Sequence, residues 1–156
     1  MNIKIPKFTI IVDTREQRPL TFEYAPGKTL ESEPGTLYTG DYSIKGLEKH
    51  VCIERKSIQD LMGCIGRDRD RFERELDRMR GYEVKCLVVE GSWDDIEQQN
   101  YRSKIHPNAA IGTLMGWIAL GIPIVMAGNH EKAGRFVARM LIITAKRRLK
   151  ELASLA

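Results

Sequence analysis

What this 156-residue chain lacks sets several kinds of protein aside. It has three cysteines, Cys52, Cys64 and Cys86, with no C-x-x-C pair among them. Its three histidines, His50, His106 and His130, are scattered without metal-ligand spacing. A disulfide framework and a zinc site are therefore not expected; small buried thiols in a reducing compartment are. No apolar run approaches the roughly 18 residues needed to span a membrane, and the opening MNIKIPKFTIIVD has no signal-peptide core. There is no phosphate-cradling Gly-rich loop, Ser–His–Asp grouping, internal repeat or low-complexity tract. The expectation is an intracellular, cytoplasmic protein that does not enter membranes.

Hydrophobic residues make up 42% of the chain and charged residues 29%, the balance of a folded domain rather than a disordered one. The length suits one domain, since domains run to roughly 100–150 residues. A net charge of +4 is weak evidence for nucleic acid by itself. Its distribution says more, because basic residues gather at 67–80 and 146–150.

In chain order, Phe8 to Val12 is a β-branched, apolar run that predicts a buried strand, ending in the charged burst Asp13-Thr14-Arg15-Glu16. Residues 17–28 read as loop, and Thr29 to Glu33 as a short edge strand before the Pro34-Gly35 turn. Asp41–Lys45 and His50–Arg55 form a hairpin pattern around Gly46. Ser57 predicts a helix N-cap, with Asp60 three residues on in a capping-box-like position, and Gly63 and Gly66 interrupt that helix. In the next helix Phe72, Leu76 and Met79 form a narrow apolar stripe. Its other face alternates arginines with acidic residues, which favours a solvated, self-paired face over a phosphate-binding ridge, while the arginines nearest the helix start keep a second reading as DNA-backbone contacts.

A buried strand over Val84–Glu90 and a short helix from Trp93 to Gln98, capped by Ser92, follow. Residues 98–106 are a polar loop and a candidate for substrate contact. A helix from Pro107 to Leu120 is expected to turn Ile111, Leu114, Met115 and Ile118 inward, and Ile122–Ala127 to form a strand. Asn129 caps a last helix with Ala133, Phe136, Val137, Met140, Leu141 and Thr144 on its packed side. Its basic end suits the helix dipole without a nucleic-acid role. Strands alternating with helices predict an α/β fold with a mixed central β-sheet flanked by helices.

The chemistry concentrates at Asp41, Glu54 and Lys56. Glu54 and Lys56 are two apart and share one strand face, while Arg55 points to the other. An antiparallel hairpin returns Glu54 to Asp41, and the strand ending at Asp13 brings a third carboxylate within reach. Two carboxylates suit a hard divalent cation such as Mg2+, which activates water and offsets charge on a phosphate under attack. Lys56 adds a fixed positive charge. The same residues also fit a plain surface hairpin with one Glu–Lys pair.

Gly40-Asp41 followed by Glu54-Arg55-Lys56-Ser57-Ile58-Gln59-Asp60, preceded by Val12-Asp13-Thr14-Arg15-Glu16, is a more specific pattern. On these two blocks the chain resembles the nuclease domain of XPF-type structure-specific DNA endonucleases, including that of the archaeal Hef protein. The resemblance extends over residues 8–145. It implies a restriction-endonuclease-like fold of the PD-(D/E)xK class. It also implies cleavage of branched or flapped DNA with Mg2+ or Mn2+ in repair, recombination or replication. Carried over residue by residue, Asp41 and Glu54 are the metal ligands, with Asp13 as a third, and Lys56 is the catalytic lysine. Asp13, Arg15, Arg55 and Asp60 complete the site. Arg15 and Arg55 also have a reading as fold-securing residues, with Arg55 pairing to Asp60 or Asp13.

Members of that family commonly carry tandem helix-hairpin-helix modules after this domain, and this chain ends at Ala156. The expectation is a single nuclease domain, 1–156, either stand-alone, of the compact kind a phage or prokaryotic gene would encode, or excised from a longer protein, with a homodimer built on apolar surface of the last helices. A non-catalytic DNA-binding or partner subunit and an RNA-directed nuclease remain open as alternatives.

Overall fold

A computed structural model describes residues 4–156. Six strands form one mixed sheet in the order β4-β1-β5-β6-β7-β8, built from β1 (Ile10–Asp13), β4 (Ser32–Gly35), β5 (Tyr42–Ile44), β6 (Val51–Ser57), β7 (Val84–Glu90) and β8 (Ile124–Met126). β5 runs antiparallel to both β1 and β6, whereas β6, β7 and β8 are parallel. Pro34 is tolerated because β4 is an edge strand. The expected mixed sheet flanked by helices is what the chain forms.

Helices α1 (Ile58–Ile65), α2 (Arg69–Arg80) and α4 (Pro107–Ala119) share one core with Cys52, Leu87 and Val89. Helix α5 (His130–Ala153) shares the other with Val51, Ile53, Cys86 and Val88. Successive strand residues point to opposite faces, so β6 and β7 feed both cores alternately. All three cysteines are free and buried, as their apolar neighbourhoods predicted. No helix among the described residues is long and apolar enough to cross a membrane.

Several local expectations are corrected. The loop over 17–28 contains a small hairpin, β2 (Glu23–Ala25) with β3 (Lys28–Thr29), so the predicted strand over Thr29–Glu33 splits between β3 and β4. Gly63 lies inside α1 instead of breaking it. Ser57 caps α1 through Asp60 N–H, but only α3 (Trp93–Glu97) has the full reciprocal box, between Ser92 and Asp95.

The inner face of α4 consists of Ala110, Leu114 and Trp117, with Ile111 partly buried against the same core as expected, while Met115 and Ile118 are exposed. The sequence carries two overlapping apolar stripes there. Trp117 selects between them by packing on Phe72, ring centroids 5.2 Å apart, with its Nε1 donating to Glu73 at 3.4 Å.

Phe136 of α5 is likewise exposed. At Gly134 a Cβ would lie 2.0 Å from the Thr21 carbonyl oxygen, so only glycine permits this approach. That contact centres the buried face on Ala133, Gly134, Val137, Ala138 and Leu141 and turns Phe136 outward.

Candidate active site

The two-residue period of β6 sorts its side chains by role. Cys52, Glu54 and Lys56 face the α1/α2/α4 side; Val51, Ile53 and Arg55 face α5. Asp41 is brought opposite by the β5–β6 pairing, its N–H donating to Ile53 O at 2.8 Å. Gly40 makes this turn possible. Its φ is +84°, and a Cβ there would stand 2.5 Å from Cys52 Sγ. The Gly-Asp of the motif is thus a backbone requirement followed by a side chain that lines the cleft.

Asp41, Lys56, Asp13 and Arg15 line one cleft of about 250 Å3, with Glu75, Arg71 and Arg78 of α2 on its opposite wall. Glu54 is not itself a lining residue: it is buried, 4% exposed, with Oε1 3.4 Å from Nζ of the lining residue Lys56. Asp41 Oδ2 accepts the Arg55 N–H at 2.7 Å. Desolvation pushes the Asp41 carboxyl up to about 6, with Glu16 and Glu75 adding to it against the Arg55 N–H. Desolvation, then Asp41 and Glu75, raises Glu54 well above the usual carboxylate range. At Lys56 burial opposes the charge, but Glu54 and the other anionic neighbours outweigh it, so the ammonium is held more firmly than usual. Its Nζ sits 5.2 Å from the Phe72 ring centroid.

The other expected site residues occupy different settings. Asp13 is buried at the cleft wall, and its carboxylate takes four hydrogen bonds, from Leu37 N–H (2.9 Å) and from Arg15 N–H, Nε and an Nη. Burial works against the Asp13 charge, and these bonds overcome it, so its carboxyl titrates below the usual range. Arg15 also donates to Leu37 O at 2.9 Å.

Arg55 does not pair with Asp60 or Asp13. Its guanidinium bridges Glu16 (2.6 and 2.9 Å) and Glu90 (2.8 Å) on the α5 side. Tyr42 Oη donates to Glu16 at 2.8 Å, and His130 Nδ1 lies 2.8 Å from Glu90, tying β5, β6, β7 and α5 together. Asp60 is exposed in the first turn of α1 and is not part of the cleft wall.

Glu75, Arg71 and Arg78 were not expected. Their signal is the i, i+4, i+7 spacing of 71, 75 and 78, which places them on one stripe of α2 beside the buried stripe of Phe72, Leu76 and Met79.

The hard carboxylate oxygens of Asp41 and Glu54, with their charged forms disfavoured by burial and by neighbouring anions, are of the kind a divalent cation would offset. No three His, Cys, Asp or Glu side chains among the described residues form a ready-made cage. Asp41 and Glu54 are the two carboxylates that could hold a hard divalent cation, with water filling the rest of its shell.

A mixed sheet carrying an acidic pair and a lysine on adjacent strands, beneath an arginine-bearing helix, defines a class that comparison makes specific. The fold superposes on XPF from Aeropyrum pernix with a TM-score of 0.64 at 21% identity, over 94% of this chain and 69% of that one. A complex of that protein with DNA gives 0.63 at 20% identity, over 90% and 66%. The ERCC4 domain matches residues 12–140, and the chain belongs to that family. It is also 34% identical over 82 residues to the DNA repair endonuclease XPF of Cricetulus griseus and to that of Mus musculus. Those matches cover 53% of this chain and 8% of each relative's length.

Proposed function

We propose that this chain is a metal-dependent DNA endonuclease that hydrolyses phosphodiester bonds in branched, flap or junction DNA. The observation that carries the reading is a cleft lined by Asp41 and Lys56, with Glu54 buried against Lys56, in a chain of the ERCC4 domain family. Asp41 and Glu54 would hold Mg2+ or Mn2+, which when bound supplies an activated water and screens charge on the phosphate.

The chain's own residues do the rest. Lys56, kept protonated by Glu54, offers positive charge to the phosphate oxygens as negative charge builds on them. Arg71 and Arg78 flank the cleft where backbone phosphates would approach. Asp13 and Arg15 hold the 37–41 segment, and with it Asp41, in place through Leu37. With both of its oxygens occupied, Asp13 fits this positioning role better than that of a ligand. Arg55 secures the sheet beneath, and Asp60 supports the start of α1 behind Lys56.

A second copy of the chain is the partner proposed for the exposed Met115, Ile118 and Leu120 of α4 and its C-terminus and Phe136 of α5. Single-strand, duplex, flap, fork and four-way-junction DNA, offered with and without Mg2+ or Mn2+, tests the activity. Cleavage by the wild type and none by Glu54→Ala is expected; equal cleavage by both would end this reading.

A further inference from the structure

One residue at the mouth of the cleft has no structural explanation. Tyr38 is 80% exposed although both its neighbours are buried, Leu37 at 4% and Thr39 at 5%. The segment carrying it is pinned throughout. Leu37 N–H donates to Asp13 and Leu37 O accepts from Arg15, while Thr39 O accepts from Cys52 Sγ at 3.5 Å. One residue further, Gly40 is wedged against Cys52. Leu37 and Thr39 are turned in, and at the bend over residues 38–40 the Tyr38 ring is left facing solvent. The result is an aromatic side chain on a fixed backbone, facing solvent, beside the cleft that holds Asp41 and Lys56.

The same cleft is lined by Arg15, Arg71 and Arg78, all exposed, and Arg78 forms no ion pair among the described residues. Guanidinium groups beside an exposed ring are what a nucleic-acid single strand requires, cations for its phosphates and a flat apolar face for a base. In a duplex the faces of the bases are covered by neighbouring pairs, so an internal paired base has no free face to offer. The wall also holds the buried Thr39 hydroxyl, which has no hydrogen-bond partner in the protein.

We infer that Tyr38 is a stacking platform for an unpaired nucleobase next to the phosphate held in the cleft. The inference rests on the nuclease reading and deepens it. Recognition of the single-stranded arm of a branched substrate would reside in the nuclease domain itself. Because the backbone is already fixed, stacking orders few groups beyond the ring.

Fluorescence anisotropy with Ca2+ in place of Mg2+ tests this on the whole chain. The ligands are forked DNA, the same fork with abasic sites along its single-stranded arm, and a blunt duplex. Tyr38→Ala should bind the fork about tenfold more weakly than wild type, the effect of losing about one stacked base. Tyr38→Phe should stay within about twofold, and the difference between Tyr38→Ala and wild type should vanish on the abasic fork and the duplex. Unchanged thermal unfolding of Tyr38→Ala is expected for so exposed a side chain.

The inference is overturned if Tyr38→Ala binds the fork as tightly as wild type, or weakens equally on all three ligands. It is also overturned if the wild type binds none of them. Should the binding pattern hold while no DNA is cleaved with Mg2+ or Mn2+, the nuclease reading fails and the stacking site stands. Cleavage by the wild type with Tyr38→Ala indistinguishable from it in binding defeats the stacking site alone.

Discussion

Burying Asp41 and Glu54 near each other and near Glu75 costs folding free energy whenever they are ionised. For Asp41 the sign is set by a folded value raised to about 6, above the unfolded value of roughly 3.9. The penalty is absent below the unfolded value and fully present above about 6. Metal-free protein should therefore gain stability at this site between pH 7 and 5, while affinity for Mg2+ or Mn2+ falls over the same interval. Thermal unfolding with and without cation, across that range, measures both. Replacing Glu54 by its neutral isostere in Glu54→Gln should raise metal-free stability by about 1 kcal/mol, within the usual range for relieving strain at a functional site. The same change should abolish cleavage. A variant more stable and inactive is expected; one less stable would contradict the electrostatic account.

The residues of that cluster were unequally legible. Asp41, Glu54 and Lys56 could be placed because a strand has a period of two and a hairpin returns on itself, both readable from spacing. Glu75, Arg71 and Arg78 could not, since a helix with alternating charge looks self-paired until its docking angle is known. Arg55 was placed on the correct face, but its partners Glu16 and Glu90 lie 39 and 35 positions away in sequence. Only the sheet order brings them together.

Among the elements, β6 is held by the charge network on its α5 side. Glu16, Arg55 and Glu90 have side chains only 3%, 11% and 7% exposed, so removing the cation would strand two buried carboxylates. Arg55→Ala should cost about 3–5 kcal/mol, the usual cost of breaking a buried pair, read from urea unfolding. Burial raises Glu16, but Arg55 and its other hydrogen-bond donors overcome this and lower it to about 2. Its stabilising contribution is therefore full above its unfolded value of about 4.3 and lost as pH falls toward 2. Acid should thus weaken this network in the range below that in which the cleft carboxylates gain. Helix boundaries were readable because caps are local: Ser57, Ser92 and Asn129 all accept from the third residue on. Which face of α4 and α5 is buried was not, because Trp117 against Phe72 and Gly134 against Thr21 are contacts between distant segments.

At the scale of the whole molecule, the sheet separates two settings: the proposed chemistry on the α2 side and the buried charge network on the α5 side. The exposed apolar residues of α4 lie outside both cores, which makes the proposed self-association separable from folding. A double change, Met115→Asp with Ile118→Asp, should leave unfolding within about 1 kcal/mol of wild type, as for surface sites in general. It should convert a dimer to a monomer in sedimentation equilibrium. A wild-type chain that sediments as a monomer at every concentration would remove the dimer from the account.

The alternation along β6 also fixes what kind of genetic change this chain can survive. Even-numbered positions from Cys52 to Lys56 face the α1/α2/α4 side and odd-numbered positions from Val51 to Arg55 face the opposite core. Substitutions can be absorbed in either set without disturbing the other. Insertion or deletion of one residue before Glu54 would exchange the two sets at a stroke. It would drive Glu54 and Lys56 into the apolar layer under α5 and swing Arg55 into the cleft. The segment should therefore tolerate drift in spelling but none in length within β6 itself.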